Sequence, residues 1–310
     1  MLYDMAMTGD PIYRGMTRAE LDRAYDNRGA VPDSAAHLAR WAEASAELYR
    51  TVPAHRDLHY GADPRQRLDF FRARHLGRPT VFFIHGGYWQ WGDKEDEAFI
   101  AAGPLAHDIN VAVVEYTLCP QISLAGMVVE IHAALTWLIP LLPELGADPA
   151  RLVVAGSSAG AHLAAMMAGR SDVKGSLLVS GIYELEPIRQ SRLNAALRLD
   201  VMSSMHKSPI LNLPGRAGPA CLAVGRDELP EMLRQTSDYY QAWIGGGLPG
   251  WQAVLDGVDH FTILDELADP NGRLTAALLR LLDSASGPHP RSAAEMALRP
   301  ASSSEALGQP

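Results

Sequence analysis

Cysteine is nearly absent: Cys119 and Cys221 are the only two in 310 residues. Two cysteines exclude a disulfide framework and a paired-cysteine zinc site, and so sparse a usage suits a reducing compartment, so a cytoplasmic protein is expected. There is also no H-E-x-x-H pair and no calcium-loop pattern, so no metal ligands and no cofactor are expected. A formal net charge of −9, with no basic stripe, argues against a nucleic-acid partner. Met1 to Asp10 carries acidic residues and no apolar signal-peptide core, and the apolar runs elsewhere read as shorter than a membrane span, so no membrane association is expected. Internal repeats are lacking too. The partner left by these exclusions is a small-molecule substrate, with monomer and homodimer both open.

What is plentiful is apolar residues, at 47% of the chain, enough for a sizeable core. One large α/β domain is favoured over two small ones. The most informative stretch is Gly156-Ser157-Ser158-Ala159-Gly160, which follows the apolar run Leu152-Val153-Val154-Ala155 and precedes the helix-forming Ala161-His162-Leu163-Ala164-Ala165-Met166. Strand, G-x-S-x-G turn and helix in that order make a nucleophile elbow with Ser158 exposed above a sheet. Small residues flank it because the tight turn leaves no room for larger ones.

Upstream, Thr80-Val81-Phe82-Phe83-Ile84 reads as a buried strand running into His85-Gly86-Gly87-Tyr88-Trp89. Acyl transfer builds negative charge on a carbonyl oxygen, and Gly86, Gly87 and the amide of Ala159 are the backbone donors expected to form an oxyanion hole. The base and acid should follow the serine in the order acid, then histidine. His260 lies just past the strand-like Trp251 to Leu255, and Gly225-Arg226-Asp227-Glu228 follows another apolar run, Ala220 to Val224. Glu228 is taken as the acid, with Asp227 as the alternative, and the other histidines are read as structural. Tyr88, Trp89 and Trp91 have two open readings: walls of an aromatic-accepting pocket, or core packing beside the oxyanion loop.

Along the chain, Thr17-Arg18-Ala19-Glu20 is a capping box opening a helix toward Asn27, and a second helix is expected from Ser34 to Arg50. Strands are expected at His55 to Tyr60, Arg67 to Arg72, Thr80 to Ile84, Asn110 to Tyr116, Arg151 to Ala155, Ser176 to Ser180, Ala220 to Val224 and Trp251 to Leu255. Helices are expected at Glu95 to His107, Leu124 to Ile139, Ala159 to Ala168, Leu229 to Ile244 and Asn271 to Leu282. This alternation predicts a largely parallel, doubly wound sheet of eight strands. Residues 1–52 form a helical leader assigned to the cap, 53–283 the main domain with a lid insertion at 182–213, and 284–310 a disordered tail.

His85 to Trp89, Glu115-Tyr116-Thr117-Leu118-Cys119-Pro120, Gly156 to Gly160 and Asp259-His260-Phe261 together resemble the kynurenine formamidase (arylformamidase) family of α/β-hydrolases. The likeness spans Tyr13 to Leu282. It implies the α/β-hydrolase fold with a small cap, and it implies Ser158 as nucleophile, His260 as base, Glu228 as acid, and Gly86, Gly87 and Ala159 as the oxyanion hole. The chain departs from the family in carrying Glu where Asp is usual. Tyr88 stands where lipase-like esterases continue with a third glycine, which favours the formamidase group. The implied activity is release of a formyl group from an aryl amide such as N-formylkynurenine, giving formate and kynurenine. A carboxylesterase acting on short acyl esters is the alternative, and a catalytically silent ligand-binding protein a third reading.

Overall fold

The buried apolar runs fall where a parallel sheet needs them, because strands covered on both faces have no solvent side on which to alternate polar residues. In this computed structural model, which describes residues 9–285, the strands are β1 (Ala54–His59), β2 (Arg67–Phe71), β3 (Arg78–Ile84), β4 (Asn110–Val114), β5 (Ala147–Ser157), β6 (Val173–Val179), β7 (Ala220–Gly225) and β8 (Gly250–Leu255). They form one eight-stranded sheet in the order β1-β2-β4-β3-β5-β6-β7-β8. β1 and β2 pair antiparallel, as do β2 and β4, and the strands from β4 across to β8 are parallel. Phe82 sits between Ala112 and Val154 in the register, so the apolar centres of β3, β4 and β5 are level.

The pleat sorts these strands into two cores. Phe82, Ile84, Val154 and Leu222 belong to one cluster, and their neighbours Val81, Phe83, Val153 and Cys221 to the other. The helices are α1 (Arg18–Ala24), α2 (Asn27–Ala30), α3 (Ser34–Thr51), α4 (Lys94–Glu97), α5 (Ala102–Ala106), α6 (Leu124–Leu138), α7 (Ala159–Met167), α8 (Glu186–Gln190), α9 (Asn194–Leu197), α10 (Val201–His206), α11 (Pro230–Gly245), α12 (Asp265–Ala268) and α13 (Arg273–Ala285). α6, α7 and α11 fill the first core through Ile131, Leu163 and Tyr239. α3 and α13 fill the second through Trp41, Leu48, Leu274 and Leu278. The result is the α/β-hydrolase fold, with helices on both faces of a mostly parallel sheet.

Several boundaries differ from expectation. The helix expected over Glu95 to His107 is three pieces: α4, a 3₁₀ turn at Ala98–Ala101, and α5. Pro104 offers no backbone N–H to the Ile100 carbonyl and crowds it, so Pro104 sits in the first turn of a new helix, α5, and not in the interior of one continuous helix. The helix opening at Thr17 keeps its capping box but stops at Ala24, and Asp26 then starts α2 by accepting the Gly29 amide at 3.1 Å. The stretch Leu124–Leu141 does reach the length and apolarity of a membrane span, with mean hydropathy 1.6 over 18 residues. One face of it packs inside the protein, where Leu124, Met127, Ile131 and Leu135 are buried, while Val129 is exposed. Ser284 and Ala285 end α13 rather than starting a tail, and the rest of the expected tail lies outside the described residues. The interval 182–213 carries α8, α9, α10 and a 3₁₀ turn at Pro209–Leu211.

Candidate active site

The chain leaves β3 for β4 on one side and later enters β5 on the other, so a crevice opens at the carboxyl ends of β3 and β5. Ser158 stands there. Its backbone, at φ 53° and ψ −117°, is a strained conformation that the turn between β5 and α7 imposes. Glycine is obligatory on either side: a Cβ on Gly156 would lie 2.4 Å from the Gly160 carbonyl oxygen, and one on Gly160 would lie 2.0 Å from that of Ile84. The Ser158 amide donates to Val179 O at 2.8 Å, which ties the elbow to β6.

The oxyanion loop follows β3 with three successive left-handed residues, Gly87 at φ 102°, Tyr88 at 48° and Trp89 at 60°. Gly86, expected as an oxyanion donor, is not free for that role, because its amide donates to Glu97 Oε1 at 3.2 Å. Its carbonyl accepts from His85 Nδ1 at 2.8 Å. In a trans peptide the C=O and the following N–H point oppositely, so the same bond aims the Gly87 amide away from His85. Among the described residues the amides of Gly87, Tyr88 and Ala159 carry no hydrogen bond, which leaves them available to a developing oxyanion; Ala159 is so because the first turn of α7 has no earlier carbonyl to use.

His85 is clamped from both sides. Its Nε2 meets Glu115 Oε1 at 3.1 Å, and Arg65 and the Tyr116 amide also donate to that oxygen, at 2.5 and 3.0 Å. Burial opposes charge on the imidazole, but the Glu115 carboxylate outweighs it and holds His85 above its ordinary range. Both ring nitrogens face acceptors, as an imidazolium requires. Asp93, Glu95 and Glu115 bring carboxylate oxygens within 4.8 Å of one another, as a metal site would. Cations of the protein already occupy the last two: Lys94 Nζ lies 2.6 Å from Glu95, and Arg65 lies against Glu115.

At the ends of β7 and β8, His260 Nδ1 donates to Glu228 Oε2 at 2.7 Å. The other oxygen of Glu228 accepts from the Gly225 amide at 2.7 Å and from the Ser180 hydroxyl at 2.5 Å. Glu228 is buried and Asp227 is exposed, so only Glu228 reaches the imidazole. Asp259 shapes the histidine loop: its Oδ1 accepts from the amides of Phe261 and Thr262, each at 2.9 Å. Burial works against its charge, but these donors win and hold the carboxyl below its usual range.

Ser158 and His260 open onto one cavity of about 580 Å³. Tyr88 lines it, held by donation from its hydroxyl to Tyr25 O at 2.6 Å and by the Asn27 amide at 3.1 Å. Trp89, expected in the pocket wall, is fully buried and lines no part of the cavity. With φ positive at both Tyr88 and Trp89 the loop turns sharply, and the indole leaves the cavity side to donate to His162 Nδ1 at 3.3 Å. Trp91 does face the cavity, with Tyr25, Trp41 and Phe261.

Residues 68–195 match the family model BD-FAE. The kynurenine formamidase of Salmo salar is 32% identical over 242 residues, 72% of this chain and 80% of that protein. The chain belongs to the kynurenine formamidase family. The kynurenine formamidase of Danio rerio is 27% identical over 291 residues, covering 87% of the chain and 98% of the relative. A Silicibacter sp. tm1040 protein, provisionally designated a thioesterase, shares the fold with TM-score 0.76 and 27% identity, over 84% of this chain and 99% of that one. The chain is accordingly a hydrolase of the α/β-hydrolase type.

Within this kynurenine formamidase family member, sequence reasoning missed Ser180 and Glu97. Ser180 carried a usable signal, since a polar residue at the carboxyl end of a parallel strand points at a ligand crevice. Glu97 carried none, because its neighbours Glu95 and Asp96 make it look like part of a solvated acidic turn.

Proposed function

We propose that the chain is a serine hydrolase that removes a formyl group from an aryl amide of the N-formylkynurenine type. The observation that carries the reading is the Glu228–His260 hydrogen bond opening onto the cavity of the strained Ser158, in a chain whose relatives are kynurenine formamidases. Glu228 fixes the imidazole tautomer with the proton on Nδ1, which leaves Nε2 as the base. Nε2 takes the Ser158 proton as Oγ attacks the formyl carbon. The amides of Gly87 and Ala159, with that of Tyr88, take the oxyanion of the tetrahedral intermediate. The imidazolium then protonates the departing aryl amine, and water attacks the formyl-serine by the same route in reverse, giving formate. No metal or cofactor enters these steps.

Tyr88 supports the small acyl group. Its ring lines the cavity beside the oxyanion loop and is held at both ends of its hydroxyl, so it narrows the acyl side. Tyr25, Trp41, Trp91 and Phe261 offer rings to an aryl leaving group. The test is the ratio of formamide to ester turnover in one preparation. Formamide cleavage with kcat/KM on the order of 10⁴ M⁻¹s⁻¹ or better is expected, and ester cleavage that falls from acetyl to hexanoyl. Efficient hexanoate ester cleavage with no formamide cleavage would overturn the formamidase reading in favour of a carboxylesterase.

A further inference from the structure

The hydroxyl of Tyr88, the ring that narrows the acyl side, is anchored in the N-terminal leader. It donates to the Tyr25 carbonyl at 2.6 Å and accepts from the Asn27 amide at 3.1 Å. Where Tyr25 stands therefore decides where the Tyr88 ring stands. Tyr25 caps the end of α1, and its buried phenol is held from α11. The phenol donates to Glu231 Oε2 at 2.9 Å and accepts from Gln235 Nε2 at 2.9 Å. Burial, with the Glu231 carboxylate beside it, keeps the phenol well above its ordinary range, so it stays protonated and donates.

Glu231, Arg234 and Gln235 are spaced to share one face of α11. Arg234 donates to Glu231 Oε2 at 2.8 Å, to Glu184 Oε2 at 3.0 Å, to Asp238 Oδ2 at 2.9 Å and to the Tyr13 hydroxyl at 3.2 Å. Gln235 Oε1 accepts from the amides of Tyr183 and Glu184, at 2.9 and 2.8 Å. A continuous run of hydrogen bonds thus leads from Arg234 through Glu231 and Tyr25 to Tyr88. Its α11 members do not line the cavity, so they touch no substrate. What they can do is fix a wall that does. A pocket separates acyl chains by the room it leaves for each methylene, and a wall held by a chain of bonds leaves less room than one free to shift.

We infer that Glu231 is a positioning residue for acyl selectivity: through the Tyr25 phenol it holds Tyr88 against the acyl side, so α11 sets how long an acyl chain the site accepts. The inference rests on the proposed reading of Tyr88 as the wall that keeps the acyl group small. Ester selectivity reports on it whether or not a formamide is cleaved, and the two can be tested separately.

The experiment measures kcat and KM on 4-nitrophenyl acetate and 4-nitrophenyl hexanoate, with N-formylkynurenine cleavage followed in the same preparations. Wild type is compared with Glu231→Ala, Tyr25→Phe and Tyr88→Phe, and with Glu231→Ala combined with each of the other two. Glu231→Ala leaves Arg234 paired with Glu184 and Asp238, and Tyr25→Phe leaves Glu231 paired with Arg234, so neither strands a charge. Each single variant should lower the acetate-to-hexanoate ratio of kcat/KM by about fivefold, mainly through a lower KM for hexanoate. In the Tyr25→Phe and Tyr88→Phe backgrounds, Glu231→Ala should move the ratio by less than about twofold more, because the route it acts through is already cut. An unmoved ratio in Glu231→Ala, equal losses on both esters, or additive shifts in the double variants would overturn the inference. The stated shifts without N-formylkynurenine cleavage would uphold the positioning role and refute the formamidase reading. Cleavage of N-formylkynurenine with an unmoved ratio would do the opposite.

Discussion

The carboxylate of Glu97 accepts the hydroxyl of Ser157, the residue before the elbow serine, at 3.1 Å. Its other oxygen takes the Gly86 amide, so one side chain links the oxyanion loop to the nucleophile turn. Burial pushes this carboxyl above its usual range, against the pull of His85 and of the two donors. Glu97→Ala should therefore lower kcat by roughly 10-fold or more with a smaller change in KM, because a loop displaced by a fraction of an ångström misplaces its donors. Glu97→Gln, whose amide oxygen still accepts, should stay within about threefold. Equal losses in both variants would show that the charge is required rather than the bridge.

Ser158→Ala should abolish nearly all turnover without loss of melting temperature, leaving only the roughly 10³ to 10⁴ over water that donors and binding supply. Near-normal turnover would transfer the chemistry elsewhere.

Of the two adjacent carboxylates, Glu228→Gln should cost about 10²-fold or more in kcat, and Asp227→Asn less than about twofold. Glu228 holds His260 at 2.7 Å, whereas Asp227 faces solvent. The reverse ranking in steady-state kinetics would contradict the acid assignment.

His162 makes stability fall in acid. It is fully buried, accepts from Trp89 Nε1 and donates through Nε2 to Lys207 O at 2.7 Å, and burial pushes its pKa down to about 4. Below about pH 6.5 the unfolded chain binds a proton there that the folded chain refuses, so its contribution is lost progressively from about pH 6.5 to about 4 and changes no further below that. The loss amounts to about 3 kcal/mol. Urea unfolding across this range should show the stability gap between wild type and His162→Gln narrowing as pH falls. A constant gap would mean that His162 titrates normally in the folded state.

Gly160→Ala should destabilise the fold by about 3 kcal/mol or more, since the new methyl would meet the backbone carbonyls of Ile84 and His85 at 2.0 and 2.5 Å. Thermal unfolding checks this. A neutral substitution would require β3 and α7 to separate without cost.

The sequence by itself determined the sheet and the order in which Ser158, Glu228 and His260 follow its strands. Its central strands are continuous apolar runs, which burial on both faces demands; Ser158 and Glu228 each follow such a run, and His260 follows the half-buried edge strand β8, where a parallel strand ends and a crevice opens. Local rules reach that far because strand, turn and helix signals are written in neighbouring residues.

Tertiary structure decided the rest. Which of Gly86 and Gly87 keeps a free amide depends on where Glu97 and His85 come to lie, and Glu115, the partner of His85, is 30 residues away. The choice between Glu228 and Asp227 turned on which side chain faces His260, 32 residues on. Trp89 and Trp91 look alike in the chain and part company because Trp89 itself sits at positive φ at the end of the Gly87–Trp89 turn, with its indole in the core, while Trp91 lies at the cavity. Hydrogen bonds between residues far apart in sequence are fixed only when the chain closes on itself, and no local pattern carries that information.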